Sequence, residues 1–472
     1  MNAKALKKLN QFIDSGWYVF FVSAVCAIFW CAGKAVGYHH KEAARTVTLI
    51  GFAVIALIGC GVLLCRRDIT PVFTNFLLIS FTNSVYGLGK GFLPLACTMI
   101  PVIFISIGLH VWLWYFKYPP AQKFRFTFGK LKWSFAALLV SAILSGVGCS
   151  FYDLKYIPMM IAMTVSFIAV YLLVINFADA NRDYMMKTFF AVGMVVCVQM
   201  VFYYATAGGN FFSQIIQRAY FAVGWTKCVN AICSVLFFCI PPALYLAVKS
   251  KYSPLFLLGA AAMAINGLLT LSRGNLLVGT IVLIPLLIYT MVRAEYRTRT
   301  LVTVFLIVSL VAVVAVSHYS VWKDVFARLL TFGDGSGRIP IWKNSLQWFK
   351  KYPVLGMGYY GPDYHPDILA SALSRNLYKV HNTVLQVMMC SGVVGVVAML
   401  YHYLQKAKLF SNFGLLKLYL LCSILILEGE GMMDLTITTG YMMMFMYVFL
   451  ATIEKEKNPE PLTVKIHDRL HF

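Results

Sequence analysis

The sequence predicts an all-α polytopic membrane protein, with about twelve to fourteen transmembrane helices and one large extracytoplasmic loop carrying short helices. Three observations predict it. Of its 472 residues, 60% are hydrophobic and only 12% are charged, a balance that no soluble surface can solvate. The apolar residues fall in runs near the roughly 20 residues that cross a bilayer. Those runs are interrupted once, over Gly333 to Val394, by a long basic and aromatic stretch.

The spans read in order as 16–32, 47–65, 72–87, 92–116, 132–149, 157–177, 187–206, 226–248, 254–272, 275–292, 300–317, 380–404, 414–429 and 432–451. Charge sets their direction. With the N-terminus inside, the inner loops hold Lys4, Lys7 and Lys8, then Arg66 and Arg67, then Lys117, Lys123, Arg125 and Lys130. Arg182, Lys249, Lys251, Arg293, Arg297, Arg299, Lys406 and Lys408 follow on the same side. This is the positive-inside asymmetry. It accounts for the net charge of +22 through loops facing anionic membrane lipids, and nucleic acid is not an expected partner. The twelve cysteines lie in or beside apolar runs and form no C-x-x-C pair, so they read as small buried hydrophobes. The basic N-terminus lacks a small-residue cleavage site, so the first apolar run reads as a retained span. The expected organisation is transmembrane helices over 1–317, an extracytoplasmic catalytic loop over 318–379, transmembrane helices over 380–451, and a polar, flexible cytoplasmic tail over 452–472.

The loop over 318–379 carries eight Lys or Arg against four Asp. Ser336 and Gly337 precede a helical pattern with Ile339, Trp342, Leu346 and Phe349 on one face. Pro340 suits the first turn, Lys350 and Lys351 close the helix, and Pro353 stops it. The apolar face with its tryptophans suits either the outer membrane surface or the side of the span bundle.

Four features could carry chemistry. Arg273 is the only charged side chain between Tyr252 and Met291, in a hairpin between two spans. It is either an interfacial anchor or a functional cation. Arg338 follows Gly335-Ser336-Gly337, where backbone N–H groups at a helix start and a guanidinium can grip an anion together. No G-K-[ST] follows, so this is not a Walker loop. His381 stands where the loop meets a span, as a general base or as a bystander to a helix cap at Asn382 or Thr383. Glu428, Glu430 and Asp434 form an acidic cluster that could pair with either arginine or orient His381, or be a polar hairpin in water. The predicted outside loops hold no D-x-D and no spaced His/Cys cluster, so no metal or other cofactor is expected, and cations must neutralise any phosphate leaving group.

Together these motifs resemble the O-antigen ligase and polymerase family. The resemblance rests on Ser272-Arg273-Gly274, on Ser336 to Trp342, on Lys351-Tyr352-Pro353-Val354-Leu355-Gly356-Met357-Gly358, and on His381 to Gly395, with Gly224-Trp225 and Asn230 upstream. It covers residues 224 to about 430 and implies a GT-C-like, metal-independent, inverting glycosyltransferase working on the outer face of a bacterial cytoplasmic membrane. The implied donor is a glycan on undecaprenyl pyrophosphate. The acceptor is another lipid-linked repeat in a polymerase, or lipid A-core or another acceptor in a ligase. Other polysaccharide assembly proteins are possible partners. By this resemblance Arg273 and Arg338 hold the pyrophosphate, with Arg218 a further candidate, while His381 acts on the acceptor hydroxyl. Glu428 stands as a second catalytic candidate, and Ser336, Gly337, Trp342 and Asn382 as supporting residues. Repeat-unit polymerase is the favoured reading, since it presupposes no lipid A-core. A flippase or other transporter shares the many spans, but its two halves would match, and here the polar features crowd into the second half.

Overall fold

The computed structural model describes residues 3–37, 39–83, 92–118, 124–149, 157–206, 223–226, 228–319, 322–323, 327, 338–358, 380–434, 440–456 and 458–462. Among them every regular element is helical. Eight helices are long and apolar enough to cross a membrane, and four more apolar helices are shorter. An all-α polytopic membrane protein is therefore what the chain folds into.

The first helices are α1 (Ala3–Ile13), α2 (Gly16–Gly37), α3 (Lys41–Cys65), α4 (Thr70–Ile79), α5 (Phe92–Val111), α6 (Lys132–Leu144), α7 (Ile157–Phe177) and α8 (Arg182–Thr206). The second half holds α9 (Val229–Lys249), α10 (Ser253–Leu269), α11 (Arg273–Arg293), α12 (Arg297–Ser317), α13 (Arg338–Lys351), α14 (Thr383–Leu409), α15 (Leu415–Gly431) and α16 (Gly440–Lys455). One large core runs through α2, α8, α9, α15 and α16. Its axis is α9, which is buried from Ile232 to Val248. That burial shields the backbone around Pro241 and Pro242 from lipid, where a freed carbonyl would be costly. Gly267 and Gly279 face the Phe237 ring so closely that no Cβ would fit, which brings α10 and α11 against α9 in the manner of small-residue membrane packing.

The basic loops gather at one end of the bundle. Lys249 pairs with Glu460 at 2.8 Å, Arg182 with Glu456 at 3.4 Å, and the Glu295 N–H donates to Val248 O at 2.8 Å. The chain beyond α16 was expected to be flexible, but over 458–462 it is tied to that end. The Leu415 N–H donates to Glu460 O at 3.0 Å, and Tyr289 Oη donates to Leu462 O at 2.6 Å. Ion pairing of Glu460 supplies the reason.

A second, smaller core lies apart from the first. It holds Cys149, Met357, Val380, Met389 and Cys390, with Ile341, Trp342, Trp348, Tyr352 and Leu385 packed on it. Its centre is a break in α14 at Gly392, which has φ 60° and ψ −157°. The turn after α13 fills that break. The N–H groups of Met357 and Gly358 donate to Met389 O (3.0 Å) and Cys390 O (2.9 Å), while those of Val393 and Val394 donate to Pro353 O (2.8 Å) and Val354 O (3.2 Å). Non-helical backbone at this depth survives because its polar groups are paired within protein. Gly356 (φ 68°) and Gly392 are both required, since a Cβ on either would stand 2.3 Å from facing backbone. The Y-P-V-L-G-M-G run is thus the plug of a broken helix.

Helix α13 begins and ends where the sequence pattern places it, but its buried face differs. Ser345 is buried and Ile341, Trp342, Trp348 and Tyr352 pack inward, whereas Ile339 and Leu346 are 49% and 39% exposed. The tryptophans therefore pack on the bundle and do not face the membrane surface. The expected face through Ile339 and Leu346 is thus not the buried one, because the plug draws Ile341, Trp348 and Tyr352 inward.

Candidate active site

A cavity of about 160 Å³ opens at the end of the bundle opposite the basic loops. Asn230, Ser272, Arg273, Gly274, Asn275, Arg338, Glu430, Met433 and Asp434 line it. Arg273 and Arg338, 65 positions apart in the chain (338 − 273 = 65), thus share one pocket. Both are first residues of helices, and Asn230 is the second residue of another. Helix α14 starts two positions after His381, beside the same wall. Three helix N-termini therefore meet at one concave site with two guanidinium groups, an arrangement that favours an anion between them.

The floor is a hydrogen-bonded polar array on α9, α11 and α15. Ser272 Oγ donates to Asn230 Oδ1 at 2.9 Å. Asn275 Nδ2 reaches Glu430 Oε1 at 2.9 Å, Ser272 Oγ at 3.0 Å and Asn230 O at 3.1 Å. Asn230 Nδ2 donates to Asp434 Oδ2 at 2.6 Å. Leu271, with φ 52°, turns the chain sharply into α11 and so aims Arg273 at the cavity. Two buried atoms of this floor, Glu430 Oε2 and Asn275 Oδ1, have no hydrogen-bond partner.

His381 stands behind the wall. Its Nδ1 lies 2.7 Å from Asp434 Oδ1, and its side chain is 34% exposed. With the Nδ1 proton held by the carboxylate, Nε2 keeps its lone pair for a substrate proton. The backbone at His381 is left-handed, with φ 53°. Its neighbours hold that strain: Trp342 Nε1 donates to Val380 O at 2.9 Å, and the Val380 N–H donates to Gln386 Oε1 at 3.0 Å. Asn382 caps α14 by accepting from the Leu385 N–H at 2.9 Å, and its Nδ2 donates to Met432 O at 3.0 Å.

The structure thus gathers Arg273, Arg338, His381, Trp342 and Asn382 around one site. It places Glu428 elsewhere. That carboxylate is bound by Lys406 Nζ and by Tyr403 Oη (2.6 Å), and it does not line the cavity. Glu428 and Glu430 are two positions apart on a helix and face different ways. The acidic residues at the site are Asp434 and Glu430. Asn275 went unremarked in the sequence, although an Asn one turn into an apolar span is itself a signal. Arg218, Ser336 and Gly337 lie outside the described residues. Among the described residues no group of three His, Cys, Asp or Glu is placed to hold a metal.

Fold and site together define a multi-pass membrane protein with a polar pocket, lined by two arginines and two carboxylic residues, at one end of its bundle. Residues 258–400 match a family model described as O-antigen ligase, a segment that contains Arg273, Arg338 and His381. Over those residues, somewhat under a third of the chain, the protein is similar to the O-antigen ligase family. No curated protein matches the chain.

Proposed function

We propose that the protein polymerises glycan repeat units on the outer face of the cytoplasmic membrane, using undecaprenyl-pyrophosphate-linked donors. The observation that carries this reading is the meeting of Arg273 and Arg338 in one pocket beside the His381–Asp434 pair. The pyrophosphate binds between the two guanidinium groups and the helix N-termini. The acceptor hydroxyl oxygen attacks C1 of the donor sugar from the face opposite the leaving group, and its proton passes to His381 Nε2. The C1–O bond breaks, and its electron pair goes to the pyrophosphate oxygen held by the arginines. Asp434 stabilises the imidazolium that forms. Inversion at C1 follows from the single displacement. Charge neutralisation by Arg273 and Arg338 makes the proposed transfer independent of metal, so EDTA should leave activity unchanged. EDTA inhibition reversed by a divalent cation would overturn that point.

The location of the basic loops at the opposite end supports an extracytoplasmic pocket. A second reading, transfer of a finished glycan to lipid A-core or another acceptor, is favoured by the description of the matching family model. A deletion strain tests both. Lipid-linked single repeats accumulating on the outer leaflet indicate a lost polymerase, and finished long chains indicate a lost ligase. Units trapped inside would indicate a flippase and overturn both.

A further inference from the structure

Helix α13 turns one stripe to the small core and leaves another uncovered. Ile339, Lys343, Leu346 and Lys350 fall on that second stripe at helical spacing, and all four are exposed. Val354, just beyond the helix, is 61% exposed on the plug. Apolar and basic residues therefore alternate along one edge.

Both ends of α13 are fastened to spans. Its first residue, Arg338, shares the pocket with Arg273, which begins the membrane-crossing helix α11. Its last turn runs into the plug, where Pro353 O and Val354 O accept from the backbone of α14. With its first residue at the pocket and its last turn leading into the break of α14, this helix of 14 residues, about 21 Å long, lies against the bundle and does not project from it. At its C-terminal end the inward-packed Trp348–Tyr352 stack holds Lys351, whose Nζ lies 5.2 Å from the Trp348 ring centroid.

We propose that the Ile339–Lys343–Leu346–Lys350 stripe of α13 is a docking surface for anionic lipid in the leaflet that faces the pocket. The apolar side chains enter the acyl boundary, and the lysines snorkel to headgroup phosphates. Three exposed ammonium groups, at Lys343, Lys350 and Lys351, supply the charge complementarity. Since Arg338 is the first residue of the same helix, lipid held here also fixes one wall of the pocket. The docking surface itself does not depend on the proposed chemistry.

The test uses the full chain with Leu346→Cys labelled by an environment-sensitive fluorophore, in a background with the exposed Cys97 and Cys228 changed to serine. The protein is reconstituted in phosphatidylcholine with or without phosphatidylglycerol. Emission should be quenched by a lipid-borne quencher and not by aqueous iodide, more strongly with phosphatidylglycerol. Each of Lys343→Gln and Lys350→Gln should weaken the phosphatidylglycerol effect about fivefold. Iodide quenching in both lipids would show a stripe in water and overturn the proposal. Protection from both quenchers would show a protein cover, another part of this chain or a second copy, and would also overturn it. Equal lipid quenching in the two compositions would refute the anionic selectivity. Ile339→Cys repeats the measurement should Leu346→Cys fail to fold. None of these readouts requires transfer activity, so failure of the enzyme reading and failure of the docking surface are distinguishable.

Discussion

Arg273, Asn230, Asn275, Glu430 and Asp434 stand on the large core, while Arg338, His381 and Asn382 stand on the small one. The large core is built by side-chain packing, with glycines accepting aromatic rings. The small core is built by backbone, with a turn hydrogen-bonded into a broken helix. The pocket forms where the two meet. Its polar floor belongs to the bundle, and His381, the proposed proton acceptor, and the second arginine belong to the plug region. Transfer should therefore fail when either side loses a charged group, but the two sides should fail differently when their scaffolds are cut.

The largest effects test whether both sides serve the same anion. Arg273→Ala and Arg338→Ala should each reduce transfer about 10²–10³-fold while protein remains in the membrane, corresponding to roughly 3–4 kcal/mol per lost donor. Arg→Lys should also fail at each position, because an ammonium cannot reproduce a bidentate grip. Assays of purified enzyme with a lipid-linked donor check this. If Arg273→Ala kept most of its activity, only the small core would be catalytic and Arg273 would return to an interfacial anchor.

Next in size are the two members of the bridge between the cores. His381→Ala should lower turnover about 10²-fold and leave donor affinity nearly unchanged, since in the proposed mechanism the arginines carry the pyrophosphate. Asp434→Asn keeps the contact geometry but removes the carboxylate that stabilises the imidazolium, so it should lower turnover with little change in donor affinity. Turnover and donor binding measured separately on both variants decide the matter. An active His381→Ala enzyme would remove the base from the small core.

The scaffold of the small core breaks through its backbone. Gly356→Ala and Gly392→Ala each place a Cβ 2.3 Å from backbone and force a strained conformation, which costs about 1–3 kcal/mol before the clash is counted. Both should lower the thermal midpoint of the detergent-solubilised protein and lose activity together with it. A Gly392→Ala protein with unchanged midpoint would mean that the plug is not what holds α14 in its broken form.

The two cores also differ in how far the sequence foretold them. The small core was largely legible. Its Pro353 stop and a cap at Asn382 or Thr383 follow from backbone rules that operate over a few residues, and they fix α13 and the start of α14 closely, whereas Gly356 and Gly392 entered only through the family resemblance. The face of α13 was not legible, because stripes through Ile339 and through Ile341 are both apolar and only the plug chooses between them. The floor of the pocket was legible in part. Arg273 stood out as a lone charge, but Asn275 and the exchange of Glu428 for Glu430 and Asp434 depend on contacts across more than 150 positions (430 − 275 = 155). No local pattern tells which of two carboxylates on one helix turns toward a site.

The smallest effect separates capping from chemistry at the seam itself. Asn382 accepts from the Leu385 N–H and donates to Met432 O, so its amide both ends α14 and ties the small core to α15. Asn382→Ala should remove the cap for about 1 kcal/mol of stability. Asn382→Asp keeps an acceptor for Leu385 but cannot donate to the Met432 carbonyl, and it should restore the midpoint only in part. Neither change touches the arginines, so donor affinity should hold in both, while turnover follows how well His381 keeps its place against Asp434. A large loss of donor affinity in Asn382→Ala, with the midpoint unchanged, would place this amide in the binding site and make the seam a contact surface for the ligand.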